Sequence, residues 1–246
     1  MSLVSNADSN LMRNLHDIAV RQNASNQLAE HLAFYFADAN LTNQGEFNPN
    51  ALYGAAVQHH HLGTTRQSAQ AVVAFYTPDF DRHGWHSPHT VVDVVTDDMP
   101  FLVDSVTMLC DRHGLTIHRL IHPVLGIRRD QAGVLTQTAK RDSAGTSPES
   151  WIHLEIDRIS DVQQLAALRQ EMLVVLADVR SAVEDHAAML GQLETAITDS
   201  PENAEFLRWM GKDNFVFLGY AHYAADASAN TLQCSEGSGL GLLRQP

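Results

Sequence analysis

The chain has 246 residues, 44% of them apolar, which is enough to build one large core or two small ones and excludes a disordered chain. Its 16 lysines and arginines stand against 29 aspartates and glutamates, and the formal net charge of −13 argues against unaided binding to nucleic acid or to an anionic membrane. No apolar run reaches the roughly 18 residues of a membrane span, and the N-terminus lacks a signal-peptide pattern, so we expect a cytoplasmic protein.

The N-terminal part of the chain contains apolar residues at helical spacing in three short segments. They predict helices around residues 11–18, 28–36 and 51–61, within an N-terminal helical segment of residues 1–68. A strand candidate follows at residues 71–76. We expect these helices and this strand to extend a sheet or to cover its edge.

The stretch from residue 91 to residue 113 is the most informative part of the chain. A β-branched run meets Asp97 and Asp98, which are placed to accept N–H groups at the start of a helix. Pro100 fits the first turn of that helix because it lacks an N–H and its φ already suits one. Gly114 ends the helix, and another strand follows. Such turns commonly hold small ligands, so the candidate effector or interface turn comprises Asp97, Asp98, Met99, Pro100, Phe101 and Asp104.

The second half of the chain contains two further strands and a long helix. Residues 151–158 alternate apolar and polar side chains, which predicts a half-buried antiparallel strand with His153 and Glu155 on its open face. An amphipathic helix begins at Asp161 and is expected to continue to about Leu190. The last strand is predicted at residues 214–223.

From residue 91 to residue 223 the predicted order is strand, helix, strand, strand, helix, strand. This is the ferredoxin-like βαββαβ order of an α+β protein, in which right-handed crossovers place both helices on one face of an antiparallel sheet. We therefore expect an α+β domain over residues 69–225, followed by a tail over residues 226–246.

This order, together with the Asp-x-Pro-x-Leu turn, resembles the ACT domain, a regulatory module that senses amino acids in metabolic enzymes. A narrower resemblance covers the chain from about Leu28 to its end. An ordered series of blocks is similar to the N-terminal part of the large bacterial NAD-specific glutamate dehydrogenases. The blocks include His89-Thr90-Val91, residues 97–106, His153-Leu154-Glu155-Ile156-Asp157-Arg158, Phe206-Leu207-Arg208-Trp209, residues 214–220 and residues 238–244.

The resemblance implies a non-catalytic regulatory and oligomerisation region cut from a longer enzyme. The intact enzyme would convert L-glutamate, water and NAD to 2-oxoglutarate, ammonium and NADH. The catalytic region and its NAD would lie downstream, and this chain would have neither catalytic nor cofactor-binding residues. The implied partners are that downstream region, further copies of the chain and an amino-acid effector. ACT domains that bind amino acids usually carry glycine where this chain has Phe101, whose ring we expect to fill the ligand space.

Two other functions stay open at this point. One is a free-standing ACT-like amino-acid sensor. The other is a metal-dependent hydrolase that uses some of the 14 histidines or a carboxylate cluster of Asp97, Asp98 and Asp104. No base, nucleophile or oxyanion group is recognisable beside those carboxylates, so catalysis is disfavoured.

The histidine spacings favour no metal site. His59, His60 and His61 follow one another on a predicted helix and point in different directions, so they cannot converge on one ion. His83, His86 and His89 straddle a turn without a supporting cysteine. On the sheet, His118 and His122 share a face that His153 is expected to join. These histidines are interpreted as satisfied side chains of the sheet.

Overall fold

The computed structural model describes residues 6–38, 48–226 and 231–244. The chain divides into two compact units, Met1–Val174 and Val175–Pro246. The helices of the first unit are α1 (Asn6–Arg21), α2 (Asn26–Asp38), α3 (Pro49–Gly63), α4 (Phe80–His83), α5 (Leu102–Arg112) and the first half of α6 (Val162–Glu184). Its strands are β1 (Val72–Tyr76), β2 (Thr90–Asp97), β3 (Ile117–Ile121), β4 (Val124–Arg129), β5 (Leu135–Lys140) and β6 (Ser147–Ile156).

The first unit contains one six-stranded antiparallel sheet. The strand order is β1-β2-β6-β4-β5, and β3 also pairs with β6. β3 and β4 lie end to end along β6, interrupted at His122 and Pro123, where a proline cannot donate to the ladder. The predicted antiparallel α+β fold is confirmed.

The strand beside β2 is not the one that the sequence order suggested. Residues 214–223 were expected to supply the fourth strand of the sheet, but β1 occupies that place, and its Val73 pairs with Val94 of β2. In residues 214–223 only Gly219–Tyr220 and Tyr223 are in strands, and they belong to separate two-stranded sheets. Both segments have the β-branched and aromatic composition of a strand, and composition alone does not choose the pairing partner.

Helices cover the sheet face that was expected to be open. Eight consecutive residues of β6, from Glu149 to Ile156, are buried, so both faces of the strand are covered and the predicted half-buried strand is wrong. The reason is that the N-terminal helices lie on a face of the sheet and not at its edge. They form a core with it that includes Leu15, Leu32, Tyr35, Phe36, Leu52, Val95, Leu125, Leu135 and Trp151.

The opposite face of the sheet is entirely apolar at its centre. Val92 and Val94 of β2 and Ile152 and Leu154 of β6 have no exposed surface. α5 follows β2 and α6 follows β6, and each of these helices has a buried stripe of apolar side chains. Right-handed crossovers place both helices on this face of the sheet, so their stripes supply the matching apolar surface. The buried stripes comprise Leu102, Val106, Leu109, Cys110, Leu168 and Met172.

The second unit is built from short elements. It contains the end of α6, α7 (His186–Asp199), a 3₁₀ turn (Pro201–Asn203), α8 (Ala204–Trp209) and a π-helical turn (Met210–Asn214). Four short strands follow: β7 (Gly219–Tyr220), β8 (Tyr223–Asp226), β9 (Thr231–Cys234) and β10 (Leu240–Gly241). The helix predicted from Asp161 to Leu190 is divided at Asp185, whose carboxylate accepts hydrogen bonds from the Gly241 amide and the Arg244 guanidinium.

Cys110 of α5 is buried and free, and burial raises the pKa of its thiol to about 11. Within residues 6–38, 48–226 and 231–244, no helix combines the length and apolarity that a membrane crossing needs.

Candidate functional site

The two aspartates of the predicted turn bind side chains from other segments. Asp97 accepts hydrogen bonds from Arg66 Nη2 at 2.5 Å and from the Ala69 amide at 3.2 Å. Asp98 accepts from Ser150 Oγ at 2.6 Å and from Arg141 Nη2 at 2.8 Å. The prediction that they cap the following helix is therefore wrong. α5 begins at Leu102, and its N-cap residue is Phe101, whose side chain makes no capping hydrogen bond. The carboxylates join the N-terminal segment and β6 to the turn.

Phe101 stands at the N-cap of α5 in a left-handed conformation, with φ 69° and ψ 0°. Glycine adopts this conformation freely, whereas a residue with a Cβ is strained in it. The phenylalanine ring is 44% exposed, so it lies partly in solvent and does not close a buried space. Met99 is half-buried, and Pro100 and Asp104 are exposed. The turn is thus a surface feature held from below by Asp97 and Asp98.

A cluster of opposite charges lies beneath this turn. Arg66 Nη2 binds Glu149 Oε1 at 2.7 Å as well as Asp97, and Arg129 binds both oxygens of Glu149 at 2.7 and 2.8 Å. Arg66 and Glu149 are 3% and 2% exposed, so their charges depend on each other for compensation. Burial acts to lower the pKa of Arg66, but the hydrogen bonds and charges of Glu149 and Asp97 outweigh it and raise the pKa. We call Arg66, Asp97, Arg129 and Glu149 the arginine–carboxylate cluster.

A pocket of about 290 Å³ opens at the arginine–carboxylate cluster. Its walls also include Gln67, Ser68, Asp130 and Ser147. The volume is at the small end of ligand cavities, and the lining holds two guanidinium groups and three carboxylates. Arg66 Nε is buried and has no hydrogen-bond partner among the described residues. The pocket has the size and the mixed charge to hold a small molecule that carries both an anionic and a cationic group.

Sequence reasoning found one edge of this pocket and missed its centre. Asp97 was a candidate, but Arg66 and Glu149 were not, because Arg66 lies 31 residues from Asp97 and 83 residues from Glu149 in sequence. Arg128 and Arg129 end the apolar strand β4. Two consecutive arginines after such a strand were the available signal, and the structure assigns them different roles: Arg128 Nε donates to the Gly145 carbonyl, whereas Arg129 is paired with Glu149.

A second polar cluster lies between α3 and the sheet. His59 of α3, Asp93 of β2 and His153 of β6 each offer one ligand atom, and these atoms lie within 4.8 Å of one another. His153 Nδ1 is 2.6 Å from Asp93 Oδ1, and His59 Nδ1 is 3.7 Å from the same oxygen. All three side chains are at most 1% exposed. We call these three residues the histidine–aspartate cluster.

The charges of the histidine–aspartate cluster are set by its neighbours. Burial lowers the pKa of His59, which stays neutral. Burial also acts against a charged His153, but the Asp93 carboxylate raises the pKa of His153 to about 9. Burial alone would raise the pKa of Asp93, and the two histidines reverse this and lower it. Without a bound ion the cluster is therefore an imidazolium–carboxylate pair beside a neutral imidazole.

The remaining histidines are placed differently from the expected sheet-face group. His153 faces Asp93, while His118 Nε2 binds Asp157 Oδ1 at 2.7 Å and His122 Nε2 lies 3.1 Å from Ser150 Oγ. The expectation that His153 joins His118 and His122 is therefore wrong. A register shift between Ile117 and Arg119 changes which side chains of β3 share a face.

The histidines near the predicted turn at residues 83–89 are also separated. His83 lies near Asp79 in α4, His86 stacks on Phe80, and the His89 ring stacks on His118 with centroids 4.0 Å apart. No metal-ligating group forms among these three within the described part of the chain.

Comparison with known proteins identifies the region that carries both clusters. Residues 31–172 match the family described as "Glutamate dehydrogenase, ACT1 domain". The chain is 34% identical over 227 residues to the NAD-specific glutamate dehydrogenase of Halomonas elongata, covering 85% of this chain and 14% of that protein. It is 37% identical over 191 residues to the enzyme of the same name from Pseudomonas aeruginosa, covering 71% of this chain and 12% of that protein.

A more distant relative has the same name. The chain is 31% identical over 211 residues to the NAD-specific glutamate dehydrogenase of Mycobacterium tuberculosis, covering 79% of this chain and 12% of that protein. The chain thus spans about an eighth of the length of these curated relatives. The match to the family model covers more than half of the chain.

Proposed function

The chain belongs to the family of the glutamate dehydrogenase ACT1 domain, and from this premise we propose that it is a non-catalytic regulatory and oligomerisation region of an NAD-dependent glutamate dehydrogenase. The observation that carries the proposal is the similarity to enzymes named NAD-specific glutamate dehydrogenase, of which the chain covers only 12–14%. The intact enzyme converts L-glutamate, water and NAD to 2-oxoglutarate, ammonium and NADH. NAD binds to the catalytic region of the longer protein, and the protein acts in the cytoplasm.

The second unit supports a role in assembly. Unusually many of its large apolar side chains are exposed, and the rings of Phe206 and Trp209 stack with centroids 6.0 Å apart. An exposed apolar surface of this kind marks an interaction site. Its partners are the downstream catalytic region and further copies of the chain. The exposed residues are Phe206, Trp209, Phe215, Val216, Leu218, Tyr223, Leu232, Leu242 and Leu243.

The catalytic part of the proposal is tested with the 246 residues alone. The purified chain is incubated with L-glutamate and NAD, and absorbance at the NADH wavelength is followed. We expect no NADH above the background of a heat-denatured sample. Glutamate-dependent NADH formation that increases with the amount of chain would contradict a non-catalytic role.

The assembly part is tested by light scattering over a range of protein concentrations. We expect the average mass to rise with concentration and to rise less when Phe206 and Trp209 are both changed to serine. The exposed Phe80 of the first unit, changed to serine, is the matched control and should leave the mass unchanged. A chain that stays strictly monomeric at high concentration would remove self-association from the proposal.

A second candidate function is suggested by the pocket at the arginine–carboxylate cluster. The pocket lies beside the predicted effector turn and has both signs of charge, which suits the carboxylate and ammonium groups of an amino acid. Whether the chain acts as a region of the enzyme or as a free-standing sensor, this pocket is where we propose that an amino-acid effector binds. Its identity is tested by isothermal titration with glutamate, aspartate and arginine.

Two controls accompany the titration: a ligand that lacks the ammonium group, and a pair of aspartate variants of the chain. 2-Oxoglutarate has the carboxylates of glutamate without the ammonium group, so it should bind more weakly than glutamate if the aspartates of the pocket hold the ammonium. Asp130→Asn should weaken amino-acid binding at least tenfold, whereas Asp111→Asn, at an exposed position outside the turn and the pocket, should not change it. Absence of heat and of thermal stabilisation with every amino acid would remove the sensor function and leave the assembly role.

A further inference from the structure

We propose that His59, Asp93 and His153 form a structural site for a divalent transition metal of the zinc class. The three ligand atoms lie within 4.8 Å of one another and come from a helix and two strands. Two imidazoles and one carboxylate are ligands that Zn²⁺ commonly takes. The sequence argument excluded His59 only as a partner of its neighbours His60 and His61. It did not consider side chains that the strands place opposite His59.

The orientation of His59 supports this assignment. Its Nε2 lies 3.1 Å from the Val94 carbonyl, which can only accept a hydrogen bond, so the proton is on Nε2. Nδ1 therefore has a lone pair, which accepts a hydrogen bond from the Tyr35 hydroxyl at 3.0 Å and lies 3.7 Å from Asp93 Oδ1. A backbone carbonyl that binds the outer ring nitrogen is the usual support for a metal-ligating histidine.

Asp93 also has an outer hydrogen bond, and His153 has a carboxylate near its outer ring nitrogen. The Tyr76 hydroxyl donates to Asp93 Oδ2 at 2.9 Å, which leaves Oδ1 for the ion. His153 Nε2 is buried without a hydrogen-bond partner among the described residues, and it lies 4.0 Å from Glu155 Oε1. If a metal binds Nδ1, the ring proton is on Nε2 and points to this carboxylate. His59 and Asp93 thus have outer hydrogen bonds that orient them, and His153 has a carboxylate 4.0 Å from its outer nitrogen.

The distances require only small movements. Ligand atoms around a tetrahedral Zn²⁺ are about 3.3 Å apart, given bonds of about 2.0 Å. The His153 Nδ1–Asp93 Oδ1 distance of 2.6 Å would lengthen, and the His59 Nδ1–Asp93 Oδ1 distance of 3.7 Å would shorten. The Tyr35 hydroxyl, which donates to His59 Nδ1 at 3.0 Å in the metal-free chain, must give up this hydrogen bond when Nδ1 binds the ion. The ion takes the place of the proton between His153 and Asp93.

The site would fasten α3 to the centre of the sheet. His59 belongs to α3, whereas Asp93 and His153 are opposite each other on β2 and β6. All three side chains are buried, so the site has no open position for a substrate. Closed sites of this kind are structural, and their binding energy contributes to folding.

The test measures metal content in a chain without a polyhistidine tag, because 14 histidines already offer adventitious sites. The chain is refolded with excess Zn²⁺, separated from free metal by gel filtration and analysed by inductively coupled plasma mass spectrometry. We expect one equivalent of zinc per chain. Asp93→Asn and His153→Gln should reduce it below 0.2 equivalents. The matched control His118→Gln changes a half-exposed histidine that also pairs with an aspartate, and it should retain the metal.

A spectroscopic measurement keeps the proposal falsifiable if the variants fold poorly. The unmodified chain refolded with Co²⁺ should show the visible absorption bands of a tetrahedral site, and one equivalent of Zn²⁺ should remove them. The proposal is overturned if the folded, unmodified chain holds less than 0.2 equivalents of zinc. It is also overturned if the cobalt spectrum is that of a hexahydrated ion, or if the zinc is lost in His118→Gln and retained in Asp93→Asn.

Discussion

The arginine–carboxylate cluster and the histidine–aspartate cluster are both polar contacts between segments that are distant in sequence. Each joins the N-terminal segment to the sheet with polar side chains: Arg66 binds Asp97 and Glu149, and His59 Nδ1 lies 3.7 Å from Asp93 Oδ1. The first cluster borders a pocket of about 290 Å³, whereas the second is enclosed by α3 and the sheet. The difference shows that a neighbouring pocket, and not residue type, decides whether a buried polar group can meet a ligand from solvent.

The largest expected effect comes from removing the carboxylate that both arginines share. Glu149→Ala leaves Arg66 buried with only Asp97 as a charged partner, and breaking a buried pair in this way costs about 3–5 kcal/mol. The free energy of unfolding from urea titration measures it. Arg128→Ala, at an exposed arginine on the neighbouring strand position, should cost less than about 1 kcal/mol. Equal effects of the two variants would show that the cluster has no special role in stability.

The enclosed region should be sensitive to added volume where α3 ends. A Cβ on Gly63 would lie 2.1 Å from Trp151 Cη2, so Gly63→Ala must displace the helix or the indole, at a cost of about 1–3 kcal/mol. Gly191→Ala is the matched control, because Gly191 is in a helix and a Cβ there meets nothing within 4 Å. It should stabilise its unit by about 0.5–1 kcal/mol. Thermal unfolding measures both changes, and a neutral Gly63→Ala would contradict the close packing of α3 on Trp151.

Acid should weaken the same enclosed region through His31. Burial lowers the pKa of His31 well below its ordinary value of 6.5, so the folded chain keeps the imidazole neutral. Below pH 6.5 the unfolded chain takes up a proton that the folded chain does not. As the pH is lowered, the free energy of unfolding therefore decreases by up to about 1.4 kcal/mol per pH unit. Urea titrations of chelator-treated protein between pH 7 and pH 5 measure this dependence.

The variant His31→Gln isolates this contribution. Glutamine can keep a hydrogen bond to Thr138, which lies 3.0 Å from His31 Nδ1, and it does not titrate. The free energy of unfolding of the variant should therefore decrease less steeply as the pH is lowered. The difference in slope should be at most about 1.4 kcal/mol per pH unit, which corresponds to one proton. A slope identical to that of the unmodified chain would show that His31 is accessible to protons in the folded state.

The smallest effect concerns the turn above the arginine–carboxylate cluster. Phe101 has a positive φ, which costs an L-residue about 1–2 kcal/mol. Phe101→Gly removes this strain and some ring contacts, whereas Phe101→Ala removes the contacts and keeps the strain. We expect the glycine variant to be about 1 kcal/mol more stable than the alanine variant in urea titration. An alanine variant that is equally stable would mean that the backbone at this position relaxes without cost.

Much of the fold could be predicted because its signals are local. The β-branched run before Asp97, the apolar spacing of α5 and Gly114 after it predict a strand, a helix and a helix end from neighbouring residues. The candidate site was predicted less well. Asp97 was found as part of a turn, but Arg66 and Glu149 meet it only across the fold, and no spacing along the chain records that meeting.

The amino-acid sequence by itself determined the class of fold, the position of the strand-to-helix turn and the family, since each depends on residue order over short stretches. Only the tertiary structure decided that β1 pairs with β2, that α3 covers the face carrying Asp93 and His153, and that these two residues meet His59. The physical reason is that the alternation of apolar and polar residues along a strand indicates only which residues share a face of the sheet. What covers that face depends on the packing of segments distant in sequence, and this covering turned an expected solvated face into a buried polar cluster.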